Sequence, residues 1–164
     1  MSRSVRRRII REKVMQALYA HEISQDPPEH VIKHVLAGIE ENKDAHAFAK
    51  QLVLATIHHK TDIDNVIRTK VANWEFDRIA MIDRLILRMS ICELLYFKEI
   101  PPKVSMNEAI ELAKLFSTER SGQFVNGILD AVLEDESFRR DMAKSGRGLY
   151  EGAPRVKRTK PVKT

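Results

Sequence analysis

A single cysteine, Cys92, is all that the 164 residues contain, and it sits within an apolar run. Neither a disulfide framework nor a cysteine-rich metal site is therefore available, and the composition is that of a reducing compartment. The chain has no glycine-rich phosphate cradle, no nucleophile elbow and no methyl-donor or nucleotide fingerprint, nor a serine or cysteine readably set beside a histidine. No catalytic residue and no cofactor is expected. The histidine pairs His30/His34 and His58/His59 have no third close ligand, so no metal site is expected either. Alternating β patterns and internal repeats are missing as well. The N-terminus lacks the apolar stretch of a secretory leader, and Glu12 and Glu22 are foreign to an Arg-rich transit peptide, which makes the cytoplasm the expected location.

What the chain does have is helical periodicity around one strongly apolar stretch. The nineteen residues from Ile79 to Phe97 carry only four charges (Asp83, Arg84, Arg88 and Glu93), and at 100° per residue their apolar side chains cover almost every face. Such a helix is a buried one. Its charges fall too near its middle for a membrane span. With 43% hydrophobic and 31% charged residues, the composition suits one globular domain. The expected fold is all-α: a compact bundle of six to seven helices in two helical halves around this buried central helix.

The first helix runs to about Ser24 with Ile10, Val14, Ala17 and Leu18 as its apolar stripe. Asp26 and Pro27 read as the N-cap and first position of a second helix. A third, long helix is expected from about Asp44 to Asn73. Trp74 reads as a packing anchor and Asp77 as the cap of the central helix. Pro101-Pro102 ends the helical path, and Ser105 to Glu108 forms a capping box for the next helix. The last firm helix has Phe124, Ile128 and Val132 at spacings of four with Val125, Leu129 and Leu133 beside them, and Gly127 is expected to admit another helix backbone. Arg88 and Glu93 are expected to satisfy each other or neighbouring helix ends. The apolar period fades beyond Glu136, so residues 1–144 are expected to form the domain and 145–164 a basic, disordered tail.

Charge is segregated along the chain. Residues 1–13 carry +5, residues 14–138 carry −7 and residues 139–164 carry +7. An acidic body with two basic ends points to a polyanionic partner. Arg6, Arg7 and Arg8 stand in the first turns of the first helix, where the macrodipole disfavours cations, so helix stability does not explain them. An anion docking there would.

Four blocks in order carry a resemblance: Arg7-Arg8…Arg11-Glu12…Gln16-Ala17-Leu18-Tyr19; Arg78-Ile79…Ile82-Asp83-Arg84…Leu87-Arg88…Glu93-Leu94; Val104…Asn107-Glu108-Ala109…Glu111-Leu112-Ala113-Lys114; and Phe124 to Asp130. Together they resemble the NusB family of bacterial transcription antitermination factors. The resemblance implies a non-enzymatic, all-helical protein that binds the single-stranded boxA element of nascent ribosomal RNA transcripts. It implies NusE, a small-subunit ribosomal protein, as the companion in that binding. Through them an antitermination complex would assemble on RNA polymerase. By family position Arg7, Arg8 and Arg11, with Ser121, Gln123 and Phe124, are implied as RNA contacts, and the neighbouring Arg6 and Arg120 are taken with them. Tyr19 and Asp83, with the adjacent Arg84, are implied as the NusE face.

Phe124 is open to two readings, a platform for an unstacked base or the first core residue of its helix. Two departures stand out: Ile9 and Ile10 where the family often has a small residue and an arginine, and Arg120 where an acid commonly precedes the serine. The competing readings are a NusB-like adaptor for acidic proteins and the RNA-binding domain of an rRNA methyltransferase present as a fragment. A homodimer is left open by the sequence.

Overall fold

The strongly apolar stretch forms α6 (Met81–Tyr96), and thirteen of its sixteen residues are buried. It is the axis of a computed structural model that describes residues 3–145. Around it run α1 (Arg3–Ser24), α2 (Pro28–Val35), a 3₁₀ turn (Ala37–Ile39), α3 (Lys43–His58), α4 (Lys60–Arg68), α5 (Asn73–Arg78), α7 (Pro102–Phe116), α8 (Glu119–Glu134) and α9 (Glu136–Ser145). Helix α6 packs against α1, α3, α4, α7, α8 and α9. The N-terminal half pairs α1 with α2 and α3, and the C-terminal half is built on the α7–α8 hairpin. The all-α bundle around a buried central helix is as expected. No helix among the described residues is long and apolar enough to cross a membrane.

The helix count is higher than expected, for local reasons. The long third helix is broken at His59, whose backbone (φ −98°, ψ 15°) ends α3 and starts α4. Its ring stacks on Tyr96 of α6 with centroids 4.1 Å apart. The bend lets both segments follow the central helix, α3 through Leu52 and Val53 and α4 through Ile63 and Ile67. Helix α5 is only six residues long, too short for a period to show. It contains Asp77, so the cap of α6 is Ala80 instead. Helix α9 buries Phe138 against α6. Asp135 accepts from the backbone N–H groups of Ser137 and Phe138 and pairs with Lys70 at 2.7 Å. Lys70 holds the Asp135 carboxyl below the usual range. Residues 146–164 lie outside the described residues, and with them the expectation of a disordered tail.

Three further expectations are corrected. Pro102 occupies the first turn of α7 rather than ending a helix, since a missing N–H costs nothing there. Ser105 is consequently inside α7 and forms no capping box; its hydroxyl donates to Glu93 at 3.1 Å, while Glu108 accepts from Arg8. The close helix approach occurs at Gly122, where an added Cβ would lie 2.9 Å from the Lys114 stem, whereas the space around Gly127 is open.

Glu93, in the middle of α6, takes Arg11 Nη2 at 2.6 Å and Arg11 Nε at 3.0 and 3.1 Å. Arg11 is 0% exposed, so it is a core cation tying α1 to α6 and not a contact for RNA. Arg88 pairs with Asp64 of α4 at 2.6 Å rather than with Glu93, and Glu22 lies 3.8 Å away. Stripping one partner from a buried pair leaves an uncompensated charge, at about 3–5 kcal/mol. Arg11→Met should therefore lower unfolding free energy by about that amount, and Arg11→Met with Glu93→Leu should recover most of it. Urea titration of the two variants reads the difference.

Candidate nucleic-acid and partner interface

Helix α8 begins where the sequence departs from apolar spacing. Thr118 caps it by accepting from Ser121 N–H at 3.1 Å, which turns Arg120, Ser121 and Phe124 toward the start of α6 and the short helix α5. These elements enclose an open groove of about 430 Å³ lined by Trp74, Glu75, Arg78, Ile79, Ala80, Asp83, Thr118, Arg120, Ser121 and Phe124. Trp74 is 62% exposed, so it is no packing anchor. The Arg78 guanidinium lies over its ring, 5.5 Å from the centroid. Phe124 is 36% exposed while Val125, Ile128, Leu129 and Val132 take the core side of α8. Of the two readings of Phe124, the partly solvated surface position is the one adopted.

At the floor of this groove stands Asp83, 7% exposed. Its Oδ2 accepts from the Ser121 hydroxyl at 3.1 Å, and Ser117 Oγ is 2.8 Å from Ser121 Oγ. Its Oδ1 has no hydrogen-bond partner among the described residues. Burial pushes the Asp83 carboxyl above the ordinary aspartate range, and the Ser121 hydrogen bond opposes this. The implied NusE residue Asp83 is thus brought together with the implied RNA residues Arg120, Ser121 and Phe124. Tyr19 does not line this groove. Gln123 is exposed on the outer surface of α8 and does not line it either.

The arginines of α1 are not gathered at this groove. Arg7 lines a second depression with Asn42, Asp44, Phe48 and Glu99, near the start of α3. Arg8 is half-exposed and forks onto Glu108, with Nε–Oε2 at 3.2 Å and Nη2–Oε1 at 3.3 Å. Hydrogen bonding to Glu108 raises its pKa further, so its charge is permanent. The side chain of Arg6 lies outside the described residues.

Arg84 is spent locally. Its Nη2 donates to the Ile79 carbonyl at 2.9 Å, and its guanidinium lies 5.4 Å from the Phe76 ring, whose other neighbour is Arg68 at 3.8 Å. Tyr19, by contrast, is 43% exposed on α1, with Ile9 and Ile23 also uncovered. At 100° per residue the three fall within an arc of about 80°, a partly apolar stripe that no described element covers. The exposed Ile9 and Ile23 were missed by sequence reasoning; their signal was that they fall outside the stripe of Ile10, Val14, Ala17 and Leu18.

The raised pKa of Asp83 gives a signed expectation. A folded-state pKa above the unfolded one means that stability is fully present below the unfolded value and lost as pH rises through the folded one. Burial of Asp83 thus costs stability as the pH rises. Asp83→Asn, which can still accept from Ser121, should raise Tm at about pH 7, and the gain should shrink as the pH falls to about 4. Calorimetric scans at the two pH values decide it; an unchanged or lowered Tm at both would remove the argument.

Comparisons with known proteins agree with this architecture. Residues 8–134 match the model of the NusB family. The chain is 46% identical over 145 residues to the transcription antitermination protein NusB of Salinibacter ruber, covering 87% of this chain and 90% of that one. Among solved structures, NusB of T. maritima superposes with a TM-score of 0.74 at 34% identity, over 82% of this chain and 95% of that one. A crystal structure of the antitermination factors NusB and NusE in complex with dsRNA matches with a TM-score of 0.72 at 30% identity, over 82% of this chain and 98% of that one. With the family model covering most of its length, and with relatives of this identity sharing its helical architecture, the chain belongs to the NusB family.

Proposed function

We propose that this chain is a non-catalytic, cytoplasmic transcription antitermination factor. In this reading it binds boxA RNA of nascent rRNA transcripts together with NusE and helps assemble the antitermination complex on RNA polymerase. The observation that carries the reading is the groove beside the α8 N-terminus, where two arginines and two exposed aromatic rings share one surface. Aromatic faces receive unstacked bases and arginines neutralise phosphates, which is how single strands are held. Arg7 and Arg8 offer a second cationic surface on α1, apart from the groove, where both remain partly accessible. Arg11 and Arg84 are not part of it, being committed to Glu93 and to the Ile79 carbonyl.

In this reading the NusE surface is the outer stripe of α1. A ribosomal protein needs an anchoring patch of apolar and aromatic side chains in addition to charge, and Ile9, Tyr19 and Ile23 offer one. One domain is proposed through residue 144. The basic segment 145–164 adds electrostatic affinity without sequence preference. The adaptor reading differs in one respect: it requires RNA binding to be weak and indifferent to sequence.

RNA affinity for a boxA-like oligomer and its scramble, with and without NusE across a salt series, tests the reading. With about five phosphates contacted, log affinity should fall against log salt with a slope near −3.5. Preference for boxA should sharpen with NusE; equal binding of both oligomers in either condition would favour the adaptor. Arg120→Asp should weaken RNA binding about fivefold or more and leave Tm within a few degrees, because Arg120 is exposed. Separately, Ile23→Asp should weaken capture of NusE about tenfold and leave the binding of RNA alone intact, as measured by titration calorimetry.

A further inference from the structure

Two histidines on α2 stand apart from the core and from the surfaces assigned above to RNA and to NusE. His30 and His34 are both exposed, on a helix that buries Val31 and Ile32. Residues four apart project from the same face of a helix, one turn above the other. Their rings meet edge to face with centroids 4.5 Å apart. The core does not use this contact, since 56% of the His30 side chain remains exposed.

The spacing is one that a metal ion can use. Metal–nitrogen bonds of about 2.1 Å to two imidazoles at right angles put the ring centroids roughly 4.5 Å apart, whereas a tetrahedral angle spreads them to roughly 5.2 Å. The observed separation matches the right-angled case, the tetragonal geometry favoured by copper(II) and nickel(II). Local charge suits a cation as well. The Asp26 carboxylate lies 3.8 Å from His30 Nε2 and Glu29 is adjacent in the chain, against a flanking Lys33. Asp26 is itself held by the end of α1: its N–H donates to Ser24 Oγ at 3.1 Å, and His21 Nδ1 lies 2.8 Å from its carbonyl. At 3.8 Å its carboxylate is too far to accept directly from the ring, but it can accept from a metal-bound water, as carboxylates beside metal sites do. Among the described residues no three metal-ligating side chains cluster, so water fills the remaining positions.

We propose that His30 and His34 form a two-histidine site on α2 for a divalent cation of tetragonal preference, nickel(II) or copper(II), with Asp26 holding one of the bound waters. Bridging successive turns fixes a helix of eight residues, a length too short to persist by itself. The other close pair is differently placed. The rings of His58 and His59 are 4.7 Å apart, but His59 is stacked on Tyr96 at the break between α3 and α4.

Titration calorimetry of the full chain, free of any histidine tag, with nickel chloride in a non-coordinating buffer tests the site. One nickel ion per chain is expected, released on acidification because an imidazole must be neutral to ligate. The electron paramagnetic resonance spectrum of the copper(II) form should show coupling to two equatorial nitrogens. His30→Ala and His34→Ala should each weaken nickel binding about tenfold or more, and Asp26→Asn should weaken it less. His58→Ala should leave it unchanged. All four positions are exposed, so the variants keep the fold. Nickel binding that survives both His30→Ala and His34→Ala, that is lost in His58→Ala, or that never saturates overturns the site. Zinc bound as tightly as nickel overturns the tetragonal assignment.

Discussion

The pair between Arg11 and Glu93 is the constraint on which the arrangement of the helices depends. Glu93 lies near the middle of a helix buried on all sides, where an ionised carboxylate without compensation is untenable. Compensation comes from outside the helix: the Arg11 guanidinium from α1 and the Ser105 hydroxyl from α7. The three elements therefore have one register in which the Glu93 carboxylate meets both partners, although Arg11 Nη1 is left without an acceptor among the described residues. Apolar packing alone would tolerate sliding α1 along α6 by a turn; the ion pair does not. Its value lies in this selection more than in net stability, because desolvating two charges offsets much of their attraction. Arg88 repeats the device one side over, fixing α4 through Asp64. Cys92, one residue before Glu93, is fully buried, its pKa pushed up to about 12, and remains a neutral core thiol.

Once α1 is fixed, the surfaces follow. Locking Arg11 and the stripe of Val14, Ala17 and Leu18 inward forces Tyr19 and Ile23 outward on the same helix. Fixing α7 through Ser105 places Glu108 where Arg8 can fork onto it, so the basic start of α1 is tethered to the C-terminal half. The α7–α8 hairpin, closed at Gly122 against the Lys114 stem, then sets the α8 N-terminus beside the first turn of α6. The groove is thus a consequence of core geometry and is built on the ends of rigid elements.

The buried central helix was legible because an apolar face on every side has one physical meaning. The apolar stripe of α1 and the stretch carrying α8 were legible for the same kind of reason. What escaped was whatever depends on a tertiary partner. Arg11 stands in a run of arginines and, by composition, looks like its neighbours; only the position of Glu93 across the core distinguishes it. Ser105 and Glu108 have capping-box spacing, but Pro102 starts the helix earlier and both side chains find distant partners. Trp74 has the size of a core residue and is left outside because α5 is a single short helix at the rim. The break at His59 has no glycine or proline to announce it, and the stacking on Tyr96 that accompanies it joins residues far apart in sequence. The grouping of Asp83 with Arg120, Ser121 and Phe124 likewise needed the fold, since family position assigned them to different faces.

Two carboxylates on α6 show how a buried charge is to be interpreted. Glu93 and Asp83 lie on the same helix, ten residues apart, and both are almost wholly withdrawn from solvent. Glu93 has a cation and a hydroxyl as partners. Asp83 has one hydroxyl, no cation paired with it, a raised pKa and a groove beside it. If burial of Asp83 served the core, a neutral side chain of the same shape would serve it better, because the ionised form is disfavoured where it stands. The contrast divides α6: satisfied charge at its centre organises the fold, and half-satisfied charge at its N-terminal end borders the groove.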